Sequence, residues 1–83
     1  MAYFYVYVLK SIDFERNYVG FSRDVVSRLK EHNSGKTSST RPYKPWKILF
    51  FGKFSTKAEA LKREKFLKSG QGRDYVKQKL MAS

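Results

Sequence analysis

YFYVYVLKSIDFERNYVGFS, residues 3–22, decides how this chain folds. Its first eight residues are β-branched or aromatic almost throughout, which is the composition of a strand. Both alternating faces are apolar, so this strand is expected at the centre of a sheet, covered on each side. The polar run SIDFERN (11–17) connects it to YVGF (18–21), read as the short returning strand of a hairpin. Tyr3, Tyr5 and Tyr7 fall on one face of the first strand, and Tyr18 opens the second. Tyrosines so placed ordinarily pack with a satisfied hydroxyl.

Beyond the hairpin, Ser22 is expected to cap a helix and Asp24 to suit its positive first turn. Val25, Val26 and Leu29 mark that helix as far as about Asn33, where NSG (33–35) stops it. SGKTSSTRPYKP (34–45) is long for a turn and carries Lys36, Arg41 and Lys44. It reads either as a functional loop or as a mobile linker. WKILFFGKF (46–54) is a third strand, and TKAE (56–59) matches the capping box, so a second helix should begin near Lys57. Gly70 is expected to end that helix in the left-handed conformation, with a last helix over 72–81. The resulting α+β order is β-β-α-β-α-α, in one domain spanning 1–83, with no internal repeat.

Composition limits the chemistry. The absence of cysteine excludes disulfides and thiolate metal sites, and a single histidine, His32, excludes multi-histidine zinc sites. No stretch reaches the ~18 apolar residues of a membrane span, and no signal-peptide pattern opens the chain. A soluble, cytoplasmic protein is the expectation. Eighteen basic residues against seven acidic ones give +11, which favours a polyanionic partner. Residues 41–83 hold twelve Lys and Arg against three Asp and Glu, so the basic field belongs mainly to that half. A solubilising surface would mix the signs more evenly, and nucleic acid is preferred to an anionic membrane.

Three charged or titratable residues stand on apolar faces. In the second helix, Ala60, Leu61, Glu64 and Leu67 share a face, opposite Glu59, Lys62, Arg63 and Lys65. A carboxylate there needs a cation or donors. Glu64 is either half of a buried ion pair, with an arginine as the natural partner, or a ligand for a hard divalent cation. In the first helix, Val25, Leu29 and His32 lie together, with Arg28 at the edge one turn away. His32 could be a satisfied core residue and Arg28 could snorkel to water. Taken together, a phosphate fork, an imidazole and a metal carboxylate are what phosphodiester hydrolysis requires.

The pattern YVY (5–7), YVG (18–20), Arg28 eight residues beyond Gly20, His32 one turn later and Glu64 on a following helix resembles the GIY-YIG nuclease superfamily. YVYVLKS, RLKEHNSG, RPYKPWKI and EALKREKFLKSGQGR extend the resemblance over nearly the whole chain. They are most similar to small stand-alone members and to the nuclease domain of structure-specific junction endonucleases. The sequence departs from the family motif in carrying Tyr5 at the first motif's glycine, a glycine that the small members it resembles also lack. It also lacks a clear match to a late asparagine, for which Gln71 is the nearest candidate.

The resemblance implies a three-stranded antiparallel sheet flanked by helices and one divalent cation, Mg²⁺ or Mn²⁺. It places Tyr7, Tyr18, Arg28, His32 and Glu64 at the catalytic positions, with Glu64 as the metal ligand. Tyr7 is then expected as general base, because a phenol with pKa near ~10 needs help from a cation or imidazole. Tyr18 or His32 would relay its proton, Arg28 would grip the phosphate, and Gly20 would leave the backbone open beside it. Lys36, Arg41, Lys44, Lys62, Arg63, Lys65 and Arg73 are the expected nucleic-acid contacts. The activity so implied is a metal-dependent DNA endonuclease, of a kind suited to DNA repair, that selects by shape. The alternative is a module of the same fold that binds DNA or RNA without cutting it, and a protein partner could supply substrate choice.

Overall fold

The computed structural model describes residues 2–82. The first strand, β1 (Phe4–Ser11), is central in a three-stranded sheet of order β2-β1-β3. β2 (Asn17–Ser22) and β3 (Trp46–Phe54) both pair with it antiparallel. Doubly apolar β1 therefore lies where both of its faces are covered, and Val6, Tyr7, Val8 and Leu9 are all buried. A register shift at Val8/Leu9 bends its pairing with β3.

The sheet separates two clusters. Val6 and Val8 face Ala60 and Leu67 of α2 (Lys57–Lys68) and Val76 of α3 (Gly70–Ala82). Tyr7, Leu9 and Trp46 face Val25 and Leu29 of α1 (Val25–Ser34). Alternation along one strand thus sends its apolar side chains to different helices, which is what positions Tyr7 beneath α1.

Several local expectations are corrected. Asp24, not Ser22, is the N-cap of α1, with its carboxylate accepting from the Ser27 N–H at 3.1 Å. Ser22 instead accepts from the Asp24 N–H and holds the turn before the helix. Gly70 does not end α2 in a left-handed conformation. Ser69, at φ −79°, is the cap there, and Gly70 already opens α3. The left-handed cap occurs at Gly35, φ 85°, after α1. Thr56 caps α2 as the Ser/Thr-x-x-Glu pattern requires, accepting from the Glu59 N–H at 3.2 Å.

The linker reading of 34–45 is also overturned. A single 3-10 turn, Arg41–Tyr43, lies within it. Buried Trp46 donates through its indole N–H to the Thr40 carbonyl at 2.9 Å. Its backbone is clasped by the Asn33 amide, which donates to Trp46 O at 3.0 Å and accepts from Trp46 N at 2.5 Å. Buried Ser11, at the end of β1, donates to Tyr43 O at 2.6 Å. The loop is tied to α1, β1 and β3, and Thr40 is buried with it.

Candidate active site

Tyr7 and Gly20 are directly opposite on β1 and β2. A Cβ on Gly20 would overlap the Tyr7 phenol and crowd the Tyr18 ring. The glycine therefore leaves room for the Tyr7 ring to lie across β2. The expected opening for a phosphate at that point is filled by tyrosine, because the cross-strand side chains are in contact there.

Laid over Gly20, the Tyr7 hydroxyl meets His32 Nε2 at 3.2 Å. His32 Nδ1 is 2.8 Å from the Thr40 hydroxyl, which also donates to Thr37 O at 3.3 Å. Since the Thr40 proton is directed to that carbonyl, Nδ1–H donates to Thr40 Oγ1 and Nε2 is left to accept from Tyr7. All three side chains are buried, and no buried side-chain polar atom among the described residues lacks a partner. Tyr18 packs its ring on His32, with centroids 4.6 Å apart, and on Tyr7 at 6.2 Å.

Burial pushes the Tyr7 phenol above its ordinary value, with the nearby Arg28 guanidinium opposing that shift and the charges of Tyr18 and Glu64 adding to it. Burial, and then the charge of Arg28, push the His32 imidazole below its ordinary value, with Glu31 opposing. At neutral pH a protonated phenol therefore faces a neutral imidazole. Arg28 is held charged first by the Tyr7 hydroxyl it faces and then by Glu31. Its Nη1 alone reaches both Glu31 oxygens, at 3.4 and 3.2 Å.

Glu64 lies on α2 within electrostatic reach of Tyr7. It is not half of a buried ion pair with arginine. It pairs with Lys68 one turn on, at 3.3 Å, where the Glu64 side chain is 20% exposed and Lys68 56%. Leu61, expected on the inward face with it, is instead 41% exposed, so the buried stripe of α2 is only Ala60 and Leu67. No group of three or more His, Cys, Asp or Glu side chains gathers among the described residues. A single carboxylate fits a hydrated Mg²⁺ or Mn²⁺, which keeps several waters and takes substrate phosphate oxygens, and does not fit a closed protein cage.

The basic residues divide. Arg73 lines a groove of about 650 Å³ with Tyr18, Arg16 and Lys68, the ion-pair partner of Glu64. Lys36, Arg41 and Lys44 are exposed on the loop that carries Thr40, with Arg41 and Lys44 beside Gly35 at the end of α1. Lys62 and Lys65 are exposed on α2. Arg63 is half-buried, its guanidinium lying over the rings of Phe66 and Tyr75, at 4.8 and 5.0 Å.

Thr40 is the site residue that sequence reasoning missed. It sits in the run TSST, where nothing distinguishes it from its neighbours, and its contact with His32 depends on a loop held by Asn33, Trp46 and Ser11.

The model of the GIY-YIG catalytic domain matches residues 3–78, and the chain belongs to the GIY-YIG nuclease family. It is 40% identical to the UPF0213 protein HQ_3675A of Haloquadratum walsbyi over 81% of this chain and 75% of that one. A structure-specific endonuclease subunit SLX1 homolog of Giardia intestinalis is 43% identical over 60% of this chain, a segment that is 15% of that protein. The solution NMR structure of the UPF0213 protein BH0048 from Bacillus halodurans superposes with a TM-score of 0.55 at 32% identity, covering 92% of this chain and 83% of that one.

Proposed function

We propose that this protein is a divalent-metal-dependent endonuclease that hydrolyses phosphodiester bonds in DNA and chooses substrates by shape. The observation that carries the reading is the Tyr7 hydroxyl, faced by Arg28 and bonded to a neutral, buried His32 that Thr40 orients. Tyr7 passes its proton to His32 Nε2 as the attacking water gives its own to the Tyr7 oxygen. The water oxygen bonds to phosphorus and the departing sugar oxygen leaves on the opposite side. Arg28 bears the charge that builds on the phosphate oxygens.

Tyr7 has no exposed surface, so substrate reaches it only when a neighbour moves. Arg28 is one such neighbour, partly exposed and paired with Glu31 in a contact worth about 0–1 kcal/mol. Exchanging the Glu31 carboxylate for a phosphate would swing the guanidinium and uncover the phenol together. When bound at Glu64, the cation would supply Lewis-acid stabilisation of the leaving oxygen. The SLX1 homolog is named as a structure-specific endonuclease subunit, and that supports an endonuclease here that selects its substrates by shape.

A DNA- or RNA-binding module that does not cut is the second reading. It is favoured by the neutralisation of both key charges within the chain, Arg28 by Glu31 and Glu64 by Lys68. Incubating the protein with duplex, single-stranded, flap and junction DNAs and RNAs, in Mg²⁺, Mn²⁺ or EDTA, separates the two. Metal-dependent cutting of the branched DNAs supports the nuclease, while binding to every substrate with no cutting supports the module.

A further inference from the structure

Phe51 is directly opposite Tyr7 on β3, on the side away from Gly20, and Lys53 is directly opposite Tyr5. Paired residues share a sheet face, so Tyr5, Phe51 and Lys53 extend the Tyr7 surface toward the start of β1. The catalytic reading uses none of them. Phe51 is nonetheless 56% exposed, and its ring meets that of Tyr5 edge-on at 6.0 Å. The two rings line a cleft of about 510 Å³ whose other wall is the first turn of α1, with Val25 and the exposed Val26.

The charges around this cleft are complementary to nucleic acid. Lys53 sits 3.9 Å from the centroid of the Tyr3 ring, and Arg23 lies over Phe4 at 5.1 Å. Asp24 is the one acidic residue lining the cleft, and its carboxylate is occupied by the Ser27 N–H and hydroxyl. A half-exposed aromatic ring with cations at its margins is the arrangement that holds unpaired bases, whose faces stack while their phosphates meet the cations. Tyr5 is about 7 Å from Tyr7 along the strand, a distance one nucleotide spans.

We propose that Tyr5 and Phe51 form a stacking subsite for one unpaired base, next to the phosphate held at Tyr7. The proposal rests on reading Tyr7 as the reaction centre, and it names the substrate class as DNA with an unpaired nucleotide beside the scissile bond. It also gives Tyr5, the departure from the glycine of the family motif, a physical role.

The test is binding in EDTA, which requires no cutting and so can fail or succeed apart from the nuclease reading. Flap DNAs carrying 2-aminopurine at successive unpaired positions near the branch are titrated with the wild-type chain, Phe51→Ala, Phe51→Leu and Phe51→Trp. Stacking quenches the probe at one position, and Phe51→Ala and Phe51→Leu lose the quench together with about tenfold of the preference for flap over blunt duplex. Phe51→Trp retains both. Unchanged preference in Phe51→Ala would overturn the proposal, as would full affinity in Phe51→Leu, which would make the patch merely apolar. Sedimentation of the wild-type chain as a dimer that Phe51→Ala dissolves would overturn it as well, by assigning the cleft to a second copy.

Discussion

At the scale of single residues, the proposed role of Tyr7 requires a poor base to be made usable. A buried phenol holds its proton, and the structure sets against that one nearby cation and one neutral acceptor. His32 can accept only while neutral, and burial with Arg28 nearby keeps it so. That device has a measurable consequence for stability. The folded-state pKa of His32 lies below its unfolded value near ~6.5, so in acid the unfolded chain takes up a proton that the folded chain resists. The contribution of His32 is complete above about pH 6.5 and declines as pH falls through and below that value. Asp24, held below its ordinary range by the Ser27 N–H and hydroxyl, titrates further down and does not blur this window. Denaturant melts at pH 7.5 and pH 5 should show a larger loss of stability for the wild-type chain than for His32→Gln. Equal losses would mean that the imidazole is not held neutral by the fold.

At the scale of elements, α2 distinguishes the two readings of Glu64. A buried ion pair broken by Glu64→Gln would cost about 3–5 kcal/mol. The observed partner is the exposed Lys68 one turn away, and such pairs are worth about 0.3–0.5 kcal/mol. Glu64→Gln should therefore melt within about 0.5 kcal/mol of wild type, keep its DNA affinity in EDTA, and lose cutting in Mg²⁺. A loss of several kcal/mol in the melt would return Glu64 to a structural role. Helix faces also mark the limit of what the sequence could tell. The strands and the capping box at Thr56 were legible because period and local chemistry define them, whereas Tyr7, Tyr18, Arg28 and His32 were singled out as a set by the family resemblance. Leu61, Arg63 and the partner of Glu64 were not, because a helical wheel gives directions without saying which neighbour covers each one. The Thr40 loop was illegible for a related reason, since its order comes from Asn33, Trp46 and Ser11, which are distant in the chain.

At the scale of the whole molecule, the proposed function assigns affinity for DNA to the charge of +11 and chemistry to the buried chain of side chains. The loop that buries Thr40 also exposes Lys36, Arg41 and Lys44, so phosphate contacts there would lie beside the site. Replacing those three with glutamine should lower the slope of log affinity against log salt by about 2–3, at about 0.9 for each lost phosphate contact. The same measurement on Lys62→Gln with Lys65→Gln should show a smaller change, and the reverse ranking would move the binding face to α2. The central claim is that Tyr7 carries the reaction, and Tyr7→Phe tests it most directly. The ring that fills the space over Gly20 remains, and only the oxygen facing His32 and Arg28 is removed. In single-turnover cleavage of a flap DNA with Mg²⁺, this variant should be slower than wild type by about 10²–10⁴-fold, with unchanged DNA affinity in EDTA. Cleavage at the wild-type rate by Tyr7→Phe would contradict the account.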